Sequence, residues 1–458
     1  MKQLILLLDG TWNDADIGPC DTNIVRLRDI IDRSLDFSGV LLPEAAPARL
    51  TASRGFGGDN VEHIVLYERG VGTGLLYDAV LGGAFGQGLE DNIRHAYKFL
   101  SFYYRAGDEI YIFGFSRGAF TARSLAGYIY AAGLLRRESC TAELETRAWG
   151  YYRTPPGDRL PGVWQALEPD VHDRAALGIE CVGVFDTVGA LGVPLAAFWR
   201  ANRARYGFHS VELNPIVRNS LQALAIDEHR APFEAAPWRK TPFRAFSGRV
   251  EQVWFAGSHG DIGGSKIEEA TRAQRAPRAL DDIALDWMLK RLNALCPTFP
   301  ADRLKAWKPV DGAWSAGVQH EARTGGWTLL LASLRGIANI PPPASLLGWS
   351  RVGNVDRHAA PLAEMVHVSA IERLGCEVVV DDDGDIYAPA NLLAVLDAIL
   401  ATYGAAPGLA KPRNDIRIVG WDANDLDPFN PVDRELACAV LTAAQARLQA
   451  AGKLSAAK

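Results

Sequence analysis

A serine between two glycines follows a buried-strand pattern in the first third of the chain. Residues 109–113 are almost continuously apolar, the motif Gly114-Phe115-Ser116-Arg117-Gly118 comes next, and residues 119–125 have helical periodicity. A strand, this motif and a helix together form a nucleophile elbow, in which a strained serine needs a small residue two positions before it and two positions after it. We therefore predict that the serine is a nucleophile, the alternative being a structural Gly-Ser turn.

A serine nucleophile needs a general base, and the base needs an acid that orients it. Asp186 comes directly after the next predicted strand, and His259 comes after the predicted strand that follows, inside the glycine-rich loop Ser258–Gly264. The chain order Ser, Asp, His is the order found in α/β-hydrolases. The spacing therefore predicts a catalytic triad of Ser116, Asp186 and His259.

Each partner of the serine also has an alternative interpretation. Asp186 at a strand end is also typical of a residue that caps the following turn, and His259 of a loop histidine bonded to the backbone. Asp261 is a rival acid. Because it lies only two residues from His259, it is better placed to fix the glycine-rich loop, or to orient His259 indirectly. His229 and His367 are weaker rival bases.

Acyl transfer also needs hydrogen-bond donors for the oxyanion. One is expected to be the backbone N–H of Arg117, the residue after the nucleophile. The loop that Asp9 begins, after the first predicted strand, offers a second N–H from Gly10 or Thr11. The alternative is that Asp9 and Thr11 only close a turn. Residues 70–74, Gly-Val-Gly-Thr-Gly, lack the Lys-Ser/Thr ending of a phosphate loop and are interpreted as a tight active-site loop.

Alternating strand and helix patterns must position these residues. The short apolar runs typical of strands buried on both faces are Gln3–Leu8, His63–Tyr67, Glu109–Phe115, Glu180–Phe185 and Gln252–Ala256. Helical periodicity is found in Asn23–Leu35, Gly88–Tyr104, Ala119–Ala131, Val217–Ala225 and Asp281–Leu295. This alternation predicts an α/β fold with a doubly wound, mostly parallel sheet, whose ligands bind beyond the carboxyl ends of the strands.

The alternation stops near residue 297. Residues 1–296 are expected to form the core that carries the triad, with the sheet complete by about residue 265. Residues 297–360 contain six prolines and read as a cap or insertion, and residues 361–458 are expected to complete the domain. Within the cap, the apolar segment from Trp327 to Trp349 is either ordinary core under a proline-rich loop, or a pocket wall or lid for an acyl chain.

Composition excludes several classes of protein. The chain has 458 residues, 48 of them Lys or Arg and 54 Asp or Glu, with a formal net charge of −6. This mild acidity argues against a dedicated nucleic-acid binder, which needs clustered basic residues. The six cysteines form no CxxC pair, so neither a zinc site nor a disulfide framework is expected. They are Cys20, Cys140, Cys181, Cys296, Cys376 and Cys438.

The amino terminus and the hydropathy pattern bear on location. Leu4–Leu8 is too short for the apolar core of a signal peptide, and we interpret it as a strand. No apolar run is long enough for a transmembrane helix. The sequence therefore predicts a protein made in the cytoplasm.

Several separated motifs resemble a known family. The chain is similar to the α/β-hydrolase domains long catalogued as a domain of unknown function, which include the GxSxG-type phospholipase effectors of bacterial type VI secretion. The motifs are LDGTWND at 8–14, GVGTG at 70–74, GFSRGAFTAR at 114–123, VFDTVGALG at 184–192, WFAGSHGDIGG at 254–264, MVHVSAIER at 365–373 and YAPANL at 387–392.

The resemblance implies an activity and partners. It implies the triad Ser116, Asp186 and His259, and phospholipase A-type cleavage of glycerophospholipids without cofactor or metal. For effectors it also implies a secretion-apparatus spike protein, an immunity protein, peripheral contact with membranes, and export that needs no signal peptide. The alternatives from the sequence are a hydrolase of non-lipid esters, thioesters or amides, and a non-catalytic binding module on the same fold.

Overall fold

A computed structural model describes most of the chain. The described residues are 1–10, 20–32, 38–39, 50–56, 61–70, 84–188, 213–239, 246–266, 278–299, 310–324, 328, 332–342, 351–353, 362–381, 383–404 and 415–454. Thr11, residues 71–74 and much of the segment from Trp327 to Trp349 lie outside them.

A ten-stranded sheet forms the centre of the molecule, in the order β14-β11-β8-β7-β6-β5-β1-β4-β3-β2. Its eight strands from β14 to β4 are mutually parallel, and β3 and β2 extend it as antiparallel strands. The strands are β1 (Lys2–Leu8), β2 (Ser38–Gly39), β3 (Leu50–Phe56), β4 (Glu62–Glu68), β5 (Glu109–Phe115), β6 (Ile179–Phe185), β7 (Val217–Ala225), β8 (Arg249–Phe255), β11 (Glu364–His367) and β14 (Arg417–Val419).

Two smaller ladders lie outside this sheet. A parallel pair joins β9 (Ser333–Arg335) and β10 (Arg351–Gly353), and an antiparallel hairpin joins β12 (Glu377–Val380) and β13 (Asp383–Ile386). The β9–β10 pair lies within residues 297–360, so the predicted cap contains regular structure as well as proline-rich loops.

Helices cover both faces of the sheet because every second residue of a central strand points to the opposite side. In β1, Leu4, Leu6 and Leu8 join one buried cluster, whereas Ile5 and Leu7 join another. The described α-helices are α1 (Asn23–Asp32), α2 (Ala84–Tyr103), α3 (Arg117–Ala132), α4 (Ala142–Arg153), α5 (Pro161–Leu167), α6 (His259–Gly263), α7 (Leu280–Leu295), α8 (Val368–Arg373), α9 (Ala390–Gly404) and α10 (Pro431–Ala450).

The first cluster packs α2 and α3 on one face, and the second packs α1 and α7 on the other. The predicted α/β fold with a doubly wound, mostly parallel sheet is confirmed. The five predicted strands are present with ends that shift by at most a few residues.

Two expectations about the sheet are wrong. Val217–Ala225 is the strand β7 and not a helix. Val217, Leu221 and Leu224 have helix-like spacing in the sequence because polar residues stand between them, but two of these, Ser220 and Gln222, are buried in the sheet. The sheet is also not complete by residue 265, since β11 and β14 are added beside β8 from the carboxyl-terminal part of the chain.

Candidate functional site

Ser116 lies at a sharp turn between β5 and α3. Its backbone has φ 58° and ψ −119°, a left-handed conformation that costs free energy in any residue other than glycine. The Ser116 N–H donates to the carbonyl of Phe185 at 3.0 Å, which ties the turn to the end of the neighbouring strand β6. The local geometry is that of the predicted nucleophile elbow.

The two flanking glycines are sterically required at this turn. A methyl group on Gly114 would lie 2.5 Å from the backbone oxygen of Gly118, and one on Gly118 would overlap the backbone oxygen of Leu8. Because these neighbours are backbone atoms, no side-chain rotation relieves the overlap. The Gly-x-Ser-x-Gly spacing thus lets β5, α3 and the end of β1 approach one another around the serine.

Asp186 and His259 meet beside this turn. Nδ1 of His259 lies 2.6 Å from Oδ2 of Asp186, and the carboxylate is completely buried. The imidazole packs against the ring of Phe115, the residue before Ser116, with 4.7 Å between ring centroids. The ends of β5, β6 and β8 therefore bring the three predicted residues to one edge of the sheet.

Charge and burial act on both members of this pair. Burial by itself would raise the pKa of Asp186, but the charge of Arg335 and the hydrogen bond from His259 outweigh it and hold this pKa at about 2. Burial lowers the pKa of His259 below its usual range, although Asp186 acts in the opposite direction. A neutral imidazole on an ionised carboxylate is a combination suited to a general base at neutral pH.

Asp261 contacts a different histidine. Its Oδ1 lies 2.6 Å from Nδ1 of His320, and its Oδ2 accepts hydrogen bonds from the backbone N–H and hydroxyl of Ser258. Asp261 thus caps α6, which begins at His259, and holds it against the segment around His320. Of the two candidate acids, only Asp186 contacts the His259 ring in the described structure.

The two weaker candidate bases lie in other environments. His367 ends β11 and caps α8 by accepting the Ser369 N–H at its Nδ1, and burial lowers its pKa to about 3. His229 follows the strand β7, where a helix was expected, and its carbonyl accepts the N–H of Ser333 at 2.8 Å.

The structure also places two residues in the site that the sequence analysis missed. Arg335 binds both oxygens of Asp186, and a carboxylate oxygen of Glu228 accepts the backbone N–H of His259 at 3.3 Å. Glu228 follows β7 and was concealed by the incorrect assignment of that strand. No local signal identifies Arg335, which lies 149 residues from Asp186 and inside the predicted cap.

The donors for the oxyanion are only partly described. Arg117 is the first residue of α3, so its backbone N–H lies in the amino-terminal turn of a helix, where N–H groups point away from the helix body. The Gly10 N–H donates to Oδ1 of Asp9 at 2.6 Å and is engaged in this structure. Thr11, the other candidate, lies outside the described residues.

Asp9 is the centre of a buried hydrogen-bond cluster at the end of β1. Besides the Gly10 N–H, its carboxyl group accepts the hydroxyls of Thr22 and Tyr67, both at 2.9 Å. Burial raises the pKa of Asp9 to about 7, against the opposing effect of these three donors. The cluster favours the interpretation of Asp9 as the residue that closes the turn.

This raised pKa predicts an unusual dependence of stability on pH. Between pH 4 and pH 7 the unfolded chain loses the Asp9 proton while the folded chain retains it, so the free energy of unfolding falls as pH rises. Asp9→Asn removes this titration. Its stability relative to the wild type should therefore rise by about 2–3 kcal/mol between pH 5 and pH 8 in urea titrations.

Thr22→Val is the matched control, because it removes one donor to Asp9 but keeps the titrating carboxyl group. A stability difference between Asp9→Asn and the wild type that stays constant with pH would show that Asp9 is ionised when buried.

Two further features bear on cofactors and membranes. Within the described ranges, no group of three or more His, Cys, Asp or Glu residues has the arrangement of a metal site. None of the described helices combines the length and apolar character needed to cross a membrane.

Comparisons with known proteins give the chain relatives. It is 28% identical over 264 residues to the uncharacterized protein YEL023C of Saccharomyces cerevisiae, covering 53% of this chain and 33% of the yeast protein. Two solved structures are each 17% identical. The Tle1 effector bound to the VgrG spike of the type 6 secretion system has a TM-score of 0.31, covering 57% of this chain and 50% of the effector. An uncharacterized protein from Pseudomonas aeruginosa has a TM-score of 0.35, covering 69% and 52%.

The chain thus spans about a third of the yeast relative and about half of each solved chain. A family model assigns the chain to a family directly. The model of the type VI secretion phospholipase effector, Tle1-like, catalytic domain matches residues 2–291, which include Ser116, Asp186 and His259 and make up more than half of the 458 residues. The chain therefore belongs to the family of Tle1-like type VI secretion phospholipase effectors.

Proposed function

We propose that this chain is a serine hydrolase of phospholipase A type, which cleaves an acyl ester of glycerophospholipids through Ser116, His259 and Asp186. The observation that carries the proposal is the buried 2.6 Å contact between Nδ1 of His259 and Oδ2 of Asp186. The same imidazole packs on Phe115, the residue before the strained Ser116. Family membership supplies the substrate class.

The reaction follows from these positions. His259 accepts the hydroxyl proton of Ser116 at Nε2 as the serine oxygen attacks the ester carbonyl. Asp186 holds the imidazole by Nδ1 and stabilises the imidazolium, which then protonates the leaving alcohol. Water, deprotonated by His259, attacks the acyl-enzyme and releases the fatty acid, and the proton returns to Ser116.

The amino-terminal end of α3 stabilises the negative charge that develops on the carbonyl oxygen. The Arg117 N–H is the first donor, because it follows the nucleophile and lies in the positive end of the helix dipole. Gly10 supplies the second N–H only if its bond to Asp9 opens, and Thr11 is the alternative donor from the same loop. Burial lowers the pKa of the Arg117 guanidinium to about 10, so a positive charge suited to an anionic phosphate remains beside Ser116 at neutral pH.

The test compares substrates at equal ester concentration. Purified protein is incubated with mixed micelles of a diacyl glycerophospholipid, with a soluble nitrophenyl butyrate and with a nitrophenyl thioester, and released fatty acid or chromophore is measured. Turnover of the micellar phospholipid at least tenfold above that of the soluble esters is expected. The reverse preference would contradict the lipid substrate. Failure of a fluorophosphonate probe to label Ser116 would contradict a serine hydrolase altogether.

Export and partners are a further part of the proposal. Family membership supports delivery by a type VI apparatus, through a spike protein, with an immunity protein that protects the producing cell. We expect the protein to slow growth when it is directed to the periplasm of a bacterial host, and Ser116→Ala to remove this effect. Equal toxicity of the two forms would contradict an effector that acts by hydrolysis.

A further inference from the structure

A buried arginine from the distant β9 strand holds the proposed triad acid. Nη1 of Arg335 donates to Oδ1 of Asp186 at 2.6 Å, and Nη2 donates to Oδ2 at 3.0 Å. The same nitrogens donate to the carbonyl of Ala225, at 2.9 Å, and to that of Phe233. Arg335 therefore joins the carboxylate to the end of β7 and to the turn that packs on His259.

The arginine also balances charge in a buried region. Asp186 and Glu228 are completely buried acids, and Arg335 and Arg230 are their respective bidentate partners. The four formal charges sum to zero while the His259 imidazole is neutral. Protonation of that imidazole adds an uncompensated positive charge, which is costly in a buried site.

Other charged groups near His259 have contacts of their own. Asp227 accepts the N–H of Gly257 and the hydroxyl of Tyr387, Asp261 is bonded to His320, and the Lys266 side chain packs at Gly260. None of these groups contacts the carboxylate that orients the imidazole. Beyond burial, which disfavours the protonated imidazole most, the balance between protonated and neutral His259 depends on the pairs Asp186–Arg335 and Glu228–Arg230.

We propose that Arg335 is a positioning residue of the catalytic site: it clamps Asp186 in line with His259 and neutralises its charge, so that the imidazole is held neutral and ready to accept the Ser116 proton. This inference rests on the proposed function. It means that residues of the predicted cap complete the hydrolase site. Leu334 and Ile337, on either side of Arg335, are buried and anchor this segment.

Arg335 has two roles that can be separated: it neutralises the charge of Asp186, and it holds the carboxylate in position. Its planar guanidinium reaches both carboxylate oxygens and two carbonyls, whereas a lysine carries the same charge on a single nitrogen and cannot make all of these bonds. Arg335→Lys should preserve the charge balance and lose the clamp. Arg335→Met should lose both.

The experiment measures the rate at which a fluorophosphonate inactivates the protein between pH 4.5 and pH 9. This reagent reacts with the activated serine and needs no assumption about the natural substrate. In Arg335→Met, the midpoint of the acidic limb should move upward by about one pH unit, because Asp186 then stabilises the imidazolium without competition. In Arg335→Lys, the midpoint should stay within a few tenths of a unit of the wild type, with a rate at least tenfold lower.

Arg291→Met is the matched control. Arg291 is also a buried bidentate arginine, bound to Glu251 at 2.8 and 2.6 Å, but Glu251 lies near the amino-terminal end of β8, at the opposite edge of the sheet. Its loss should lower the melting temperature and leave the inactivation midpoint unchanged.

Two results would overturn the inference. One is an Arg335→Met variant whose inactivation midpoint equals those of the wild type and of Arg291→Met. The other, which applies even if the methionine variant does not fold, is an Arg335→Lys variant that reacts at the wild-type rate at every pH. A wild-type protein that the probe does not label at Ser116 would instead contradict the proposed function.

Discussion

Replacing Ser116 by alanine is expected to reduce kcat on any ester substrate by about 10,000-fold or more, with little change in folding. The hydroxyl is the proposed attacking group, so its removal eliminates the covalent step. Alanine lacks only the hydroxyl oxygen, and the positive φ at this position strains it about as much as it strains serine, so the fold should tolerate the substitution. Release of acid from nitrophenyl esters and from phospholipid micelles provides the measurement.

Ser124→Ala provides the matched control for this prediction. Ser124 lies two turns further along α3, is completely buried, and its hydroxyl has no hydrogen-bond partner in the described structure. We expect this variant to retain wild-type turnover. His259→Ala should resemble Ser116→Ala, and the double variant should be no worse than either alone, because the two residues act as a unit. A Ser116→Ala variant that retains a tenth of the wild-type kcat would exclude Ser116 as the nucleophile.

Asp186→Asn is the second large prediction, with an expected loss of about 1,000- to 10,000-fold in kcat/KM. An amide at this position cannot stabilise the imidazolium as a carboxylate does, and an amide NH₂ facing Nδ1 favours the wrong tautomer of His259. The substitution also leaves Arg335 as a buried cation without its counter-charge. Steady-state kinetics should be accompanied by thermal unfolding, so that lost activity is not mistaken for lost folding.

The comparison with Asp261→Asn decides between the two candidate acids. Asp261 is hydrogen-bonded to His320 and Ser258, and it stabilises the helix that begins at His259. Its loss should lower the melting temperature and reduce kcat/KM less than tenfold. If Asp261→Asn is instead the more damaged enzyme, Asp186 is not the acid of the triad.

The sequence was most informative where the local pattern and the chemistry coincide. The order of strand, Gly-x-Ser-x-Gly and helix around Ser116 is a local signature, because backbone contacts exclude side chains at both glycines. It was least informative at β7, where buried polar residues interrupt the apolar ones and leave no strand-like alternation to distinguish a strand from a helix. That error hid Glu228, which follows the strand.

The residue types and their order along the chain were sufficient to predict the α/β fold and to nominate Ser116, Asp186 and His259. They left Asp186 and Asp261 as rival acids. Both lie beside a loop, and their separation from His259 along the chain, 73 residues for Asp186 and two for Asp261, does not say which carboxylate reaches the imidazole. The tertiary structure distinguishes them: the His259 imidazole lies 2.6 Å from the Asp186 carboxylate, whereas Asp261 is hydrogen-bonded to His320. It alone brings in Arg335, because the pairing of a buried carboxylate with a guanidinium depends on how distant segments pack and leaves no local pattern in the sequence.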